Sequence, residues 1–217
     1  MAHRGSGGVV VRKTKAEAEQ TRQLLLEVAM RTFSEKGLSN TSLKEIAAEA
    51  GVTHGALYWH FKNRDELLKQ LYFQVESPFE AQYIEQQQAA RQNALDALTL
   101  YLKGILTVMA SEPLQQQGYR LFRLQTASRP EFALLQEELT ADADEWRGYI
   151  RSFLKMAKKK KELKKKADVE QLTDSLYLAI FGLLDQALLA PDRFNLVKTG
   201  PLLVDMMMQG LRAQVAR

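Results

Sequence analysis

The chain has 217 residues, 46% of them hydrophobic and 26% charged, with a formal net charge of +4 at neutral pH. That length suits one large domain or two small ones, and no run approaches the roughly 18 apolar residues of a membrane span. The absence of cysteine excludes disulfides, thiol redox sensing and cysteine-held metals.

The basic excess is local. Residues 155–166 hold eight lysines against Glu162, a net +7, which leaves the rest of the chain at −3. Residues 1–72 hold 11 Lys/Arg against 8 Asp/Glu. The lysine cluster reads as a solvated connection between two helices, with attraction of nucleic acid or anionic lipid as the alternative.

In chain order, MAHRGSGG reads as a flexible leader without the apolar core of a secretion signal, so a cytoplasmic protein is expected. Residues 1–11 are set apart as a leader or disordered arm. A helix is expected from about Ala16 to Lys36, with Leu25, Val28, Ala29, Thr32 and Phe33 on its buried face and Gly37 ending it. Residues 40–67, NTSLKEIAAEAGVTHGALYWHFKNRDEL, read as two short helices and the start of a third. Leu43, Ile46, Ala47 and Ala50 recur at helical spacing, and Ser42 with Glu45 forms a capping-box signal. Gly51 suits the left-handed turn that ends this helix, and Thr53 is an N-cap for the next, which runs to His60 or Phe61. That next helix carries almost no long charged side chains. Two helices joined at a glycine turn, the second left bare, describe a DNA-reading helix-turn-helix.

Further along, Asn63 with Glu66 caps a helix from Arg64 that carries Leu67, Leu68, Leu71, Tyr72 and Val75 and is expected to kink or stop at Pro78. Helices follow over 93–110, 114–128, 131–158, 168–189 and 195–214, with breaks at Glu112-Pro113, Arg129-Pro130 and Ala190-Pro191. No strand alternation, repeat or phosphate-binding glycine loop is visible. The expected fold is all-α: a three-helix helix-turn-helix domain over 12–65 and a larger helical bundle over 66–217, about nine helices in all.

The run T-S-L-x-E-I-A-x-x-A-G-V-T-x-G-A-L-Y-W-H-F-K resembles the DNA-binding region of the TetR family of bacterial transcriptional regulators. The opening of the chain from about Arg12 and the later LLAPDRFNL are similar to AcrR-like repressors of multidrug efflux pumps. The resemblance is strong over residues 12–70 and weak beyond them. It implies a ligand-responsive repressor that binds a palindromic operator in double-stranded DNA as a homodimer and is released by a small hydrophobic effector. Alternatives are an activator, a relative sensing a lipid or metabolite, or a helical small-molecule binder without specific DNA binding.

For DNA contact, Thr53, His54, Gly55 and Ala56 lie at the reading helix's N-terminal end, nearest the base edges. Resemblance assigns Tyr58, His60 and Lys62 to the sugar-phosphate backbone. Thr41 and Ser42 offer hydroxyls and amides to a phosphate, and Arg12, Lys13 and Lys15 form a basic arm. Leu57 and Phe61 read as core, while Trp59 stands open between core and DNA contact.

No catalytic group, metal or cofactor is expected. His54 and His60 do not share a helix face, and Asp142, Asp144 and Glu145 read as a solvated face. By fold, the effector site is expected among Phe73, Tyr101, Ile105, Met109, Phe122, Gln125, Phe153, Tyr177, Phe181 and Asp185. Asp185 stands in an apolar helix, so it either pairs at a dimer interface or meets a ligand in a cavity. Dimerisation is expected through the last two helices, using Leu172, Leu176, Ala179, Ile180, Leu183 and Ala187 with Leu202, Leu203, Met206, Met207 and Leu211. No membrane partner is expected.

Overall fold

The computed structural model describes residues 14–125 and 133–213, and side chains for 14–123 and 143–213. Among these residues are nine α-helices, one π-helical turn and no strand. The helices are α1 Lys15–Lys36, α2 Leu43–Glu49, α3 His54–His60, α4 Arg64–Ala89, α5 Ala94–Ser111, α6 Pro113–Tyr119, α7 Ala133–Lys159, α8 Val169–Leu189 and α9 Leu196–Ala213, with the π-helical turn at Arg120–Gln125. The chain divides between Gln70 and Leu71, inside the residue range of α4, into two compact units.

In the first unit, α1 begins at a reciprocal capping box that the sequence reading missed. The Thr14 hydroxyl accepts from the Glu17 amide at 3.2 Å, and the Glu17 carboxylate accepts from the Thr14 amide at 2.7 Å. Leu25, Leu26, Val28, Ala29, Met30 and Phe33 of α1 are buried and meet the requirement of Ile46, Ala47, Leu57 and Phe61 for an apolar partner.

In the second unit, α5 is the central helix and packs against α9 and α7, with α7 against α8. Asn93 caps α5 by accepting from the Asp96 amide at 2.9 Å. Gly118 allows α6 to approach: a Cβ there would come within 2.2 Å of Val75 Cγ2. Helices α5 and α8 are in fact long and apolar enough to span a membrane by length and composition, with mean hydropathy 1.3, contrary to the sequence expectation. Their apolar residues instead form the core of this unit, with Leu98, Tyr101, Leu102, Ile105, Ile180 and Leu184 almost fully buried.

Two further expectations are narrowed. Pro78 does not end its helix, because α4 continues to Ala89. An interior proline costs about 3 kcal/mol, whereas burying each large apolar side chain gains about 1.5–3 kcal/mol. Leu71, Val75 and Phe79 on the same helix are all buried. The lysine-rich connection is also more than a solvated link. The Glu162 carboxylate accepts from the Ala94 and Leu95 amides at 3.0 and 2.9 Å, and Lys160 Nζ donates to the Arg91 carbonyl at 2.8 Å. With Leu163 buried beside them, these residues hold the connection to the start of α5, while Lys159, Lys161, Lys165 and Lys166 remain exposed.

Candidate nucleic-acid interface

The turn between α2 and α3 follows from its glycine. Gly51 has φ 68°, its amide donates to the Ala48 carbonyl at 3.1 Å, and the Val52 amide donates to the Ala47 carbonyl at 3.0 Å. This paired arrangement satisfies the last carbonyls of α2 and reverses the chain. Thr53 then accepts from the Ala56 amide at 3.1 Å and starts α3. Leu57 and Phe61 are both 0% exposed and anchor the inner side of α3. Anchored this way, the helix turns its other side outward.

That outer side is bare. Trp59 is 73% exposed and Tyr58 45%, while Thr53, His54 and Gly55 are exposed at the N-terminal end. Ala56 and His60 are half-buried. The His54 ring meets Tyr58 edge-on at 4.7 Å, and Trp59 meets His60 edge-on at 4.7 Å, so the polar rings brace one another on the surface. A Cβ on Gly55 would meet nothing of the chain within 4 Å, so the protein's own packing does not call for glycine there.

Around α3 the flanking residues divide. Lys62 is exposed, and its amide donates to the Glu66 carboxylate at 2.8 Å. Ser42 is exposed and caps α2 by accepting from the Glu45 amide at 3.2 Å. Glu45 does not reach back to complete the expected box, because its carboxylate pairs with Lys36 Nζ at 2.5 Å. Thr41 is corrected: it is 3% exposed and its hydroxyl donates to the Gly37 carbonyl at 2.9 Å, so that hydroxyl is unavailable to a phosphate. Arg12 and Lys13 lie outside the described residues.

Lys36 also bonds Glu49 at 2.9 Å and so pins α2 to α1. The hydrogen bonds to Glu45 and Glu49 hold the Lys36 ammonium above its ordinary range, and the bond from Lys36 holds the Glu49 carboxyl below its own.

The effector candidates of the second unit fall into three groups. Tyr101, Ile105, Met109, Phe153 and Phe181 are buried in one apolar cluster, and Phe122 is buried against Tyr72, with ring centroids 5.6 Å apart. Phe73 is instead 52% exposed, and the Gln125 side chain lies outside the described residues. Tyr177 and Asp185 are half-buried and brought together by Arg123. Asp185 accepts from the Tyr119 hydroxyl at 2.6 Å and pairs with Arg123 at 3.3 Å, so its partners come from its own chain.

Comparison with known proteins agrees with this geometry. The sequence model of the bacterial regulatory proteins of the tetR family matches residues 25–71, from within α1 to within α4. The HTH-type transcriptional regulator AcrR of Shigella flexneri is 33% identical over 189 residues, 87% of this chain and 88% of AcrR. The chain belongs to the TetR family. Among solved structures, a complex of SmeT with triclosan matches with TM-score 0.82 and 25% identity, over 91% of this chain and 95% of that one. NalD, the secondary repressor of the MexAB-OprM multidrug efflux pump in Pseudomonas aeruginosa, matches with TM-score 0.77 and 25% identity, over 91% and 98%.

As a TetR-family regulator the protein binds DNA, and the matched residues contain the two helices α2 and α3 joined at Gly51. Sequence reasoning missed Tyr119 and Arg123 of this regulator. Both precede the Arg129-Pro130 break in a stretch read only as generic helix. The signal available was an arginine among aromatics, YRLFR, opposite the lone Asp185.

Proposed function

We propose that this TetR-family regulator is a ligand-released repressor of a multidrug efflux pump, acting in the cytoplasm by binding alone and without catalysis. The observation that carries the reading is the bare outer side of α3, where small, polar and aromatic residues stand exposed over a rigid apolar anchor. Thr53, His54, Gly55 and Ala56 read base edges, with the Ala56 methyl suited to a thymine methyl. Tyr58, Trp59, His60, Lys62 and Ser42 meet the backbone, joined by Arg12 and Lys13 from the basic arm.

The active species is a two-fold dimer built on the outward faces of α8 and α9. The sequence stripe needs revision here, since Leu176, Ile180, Ala187 and Leu211 are buried within the chain's own core. Leu202 and Met206 of the expected set, with Leu178 and Leu189 beside them, are 60–68% exposed and supply the apolar surface. Two-fold symmetry requires a near-palindromic operator with half-sites about 34–36 Å apart or a multiple of that.

An effector held in the second unit releases the operator by favouring a conformation with the reading helices out of register. Its leverage equals its differential affinity for the two conformations: a tenfold loss of operator binding takes about 1.4 kcal/mol. The range of α4 crosses from one unit to the other and contains Pro78, which suits it to carry the change. The efflux assignment is supported by similarity to AcrR and NalD.

Affinity selection of genomic fragments by the purified protein, at physiological salt, tests the reading. A few near-palindromic sites beside a transporter gene are expected. Uniform recovery that fades with salt would defeat it, since that pattern reports only non-specific charge.

A further inference from the structure

The connection from α7 to α8 concentrates charge that the fold does not neutralise. Residues 155–166 carry eight lysines and one carboxylate, on a chain whose net charge is +4. That carboxylate is engaged inward, since Glu162 accepts from the Ala94 and Leu95 amides. Two of the lysines are engaged as well, Lys160 with the Arg91 and Gln92 carbonyls and Lys158 with the Ala167 carbonyl at 2.8 Å. The ammonium groups of Lys155, Lys159, Lys161, Lys164, Lys165 and Lys166 have no ion pair among the described residues.

Helix electrostatics account for only part of this charge. Lys158 and Lys159 fall in the last turn of α7, where the negative end of the helix dipole favours cations. Lys164, Lys165 and Lys166 come just before α8 begins at Val169, and the positive end of that helix disfavours them. Lys161 has φ 63° and is the sole non-glycine residue with positive φ among the described residues. Its conformation closes α7: the Lys161 amide donates to the Lys158 carbonyl at 3.2 Å, and the Glu162 amide to the Ala157 carbonyl at 2.9 Å. Glycine costs least at such a position. At these four places the chain's own structure favours something other than lysine, and repulsion among the ammonium groups adds to the cost.

We propose that this surface is a second DNA contact of the regulator, one that grips the phosphate backbone of a duplex without reading its sequence. The composition selects that partner. Residues 155–166 contain no arginine for bidentate contact with a base edge and no aromatic ring for stacking on a single strand. Their apolar residues are Met156, Ala157 and Leu163, none of them exposed, so nothing is offered to the interior of a bilayer. What remains is a set of point charges on a framework fixed by Glu162, Lys160 and the buried Leu163. A duplex meets it with one negative charge about every 1.7 Å. Contacts of this kind hold a protein near DNA and let it slide while α3 searches for its site. The surface belongs to the second unit, so its role goes beyond the operator reading and does not depend on it.

Fluorescence anisotropy on a short random-sequence duplex provides the test, using the full chain across a salt series. Wild type is compared with the combined variant Lys159→Gln, Lys161→Gln, Lys165→Gln and Lys166→Gln, with folding followed by circular dichroism. Loss of four phosphate contacts is expected to lower the slope of log affinity against log salt by about 3–4. Between about 50 and 200 mM salt, the wild type should then lose roughly 10² more affinity than the variant. Arginine at the same four positions is expected to keep the wild-type slope. A slope unchanged by glutamine overturns the proposal and leaves the lysines as a solvated face. So does a slope that arginine fails to keep, since charge would then not be the cause. Phosphatidylserine vesicles form the second arm: vesicle binding that disappears with the four lysines, while duplex binding stays the same, would assign the surface to a membrane instead. The random duplex contains no operator, so failed operator selection would remove the repressor reading and leave this result standing.

Discussion

Two faces of this regulator are left bare, and they are bare in different ways. The outer side of α3 exposes Tyr58 and Trp59 beside Thr53, His54 and Gly55, residues that combine apolar bodies with hydrogen-bonding tips. The outer faces of α8 and α9 expose Leu178, Leu189, Leu202 and Met206, which have nothing to offer but area. A polar, charged duplex rewards the first composition, and a second copy of the same apolar surface rewards the second. Exposure alone therefore does not define a partner; the chemistry of what is exposed does.

The largest expected effect comes from breaking the apolar face. Leu178→Asp combined with Met206→Asp should yield a monomer in sedimentation and reduce operator affinity by about 10²–10⁴, the usual yield of bivalency. Dimers that persist would show that the interface lies elsewhere. Next is the aromatic face, where two neighbours on α3 should behave oppositely. Trp59→Ala should weaken operator binding with the melting temperature almost unchanged, because the ring is 73% exposed. Phe61→Ala, at 0% exposure, should destabilise the protein by about 3–5 kcal/mol. Equal melting shifts for the two would erase the distinction between contact and anchor.

A smaller and more specific effect is expected at His54. His54→Ala should change base preference at one or two operator positions, worth about 1–3 kcal/mol of discrimination, while leaving non-specific binding intact. An unaltered selected-site profile would remove His54 from the reading set. The smallest effect concerns the exposed Lys36–Glu49 pair. Glu49 is held low, so its contribution is present above its unfolded value near 4 and is lost as pH falls through the depressed value. Lys36 is held high, so its contribution is present below its unfolded value near 10.4 and is lost as pH rises beyond it. Thermal stability should plateau between about pH 5 and 10, and Lys36→Met should flatten both shoulders only slightly, since exposed pairs are screened by solvent. A large drop at neutral pH would mean that Lys36 does more than pin α2 to α1.

Legibility of the chain followed the range of the interactions involved. Thr53 and Gly51 act within a turn of themselves, and Leu57 and Phe61 recur at helical spacing, so their roles in the helix-turn-helix were readable from spacing. Thr41 has the composition of a phosphate contact, yet its hydroxyl turns inward to Gly37. Pro78 has the local signature of a helix end, yet the burial of Leu71, Val75 and Phe79 carries the helix across it. Helix α8 is apolar on more than one side, so periodicity found the stripe of Leu176, Ile180 and Ala187 without revealing that it faces the chain's own core. Arg123 was invisible as a partner of Asp185, 62 residues away.

The sequence by itself determined the all-helical class, the helix-turn-helix and its anchor residues, because caps, turns and 3.6-residue stripes are local properties that neighbouring residues settle among themselves. Only the tertiary structure decided which apolar stripe is core and which is surface, that Glu162 and Lys160 hold the lysine-rich connection, and that Arg123 pairs with Asp185. Those outcomes depend on which helices meet, and the energy of such contacts belongs to pairs of residues far apart in the chain.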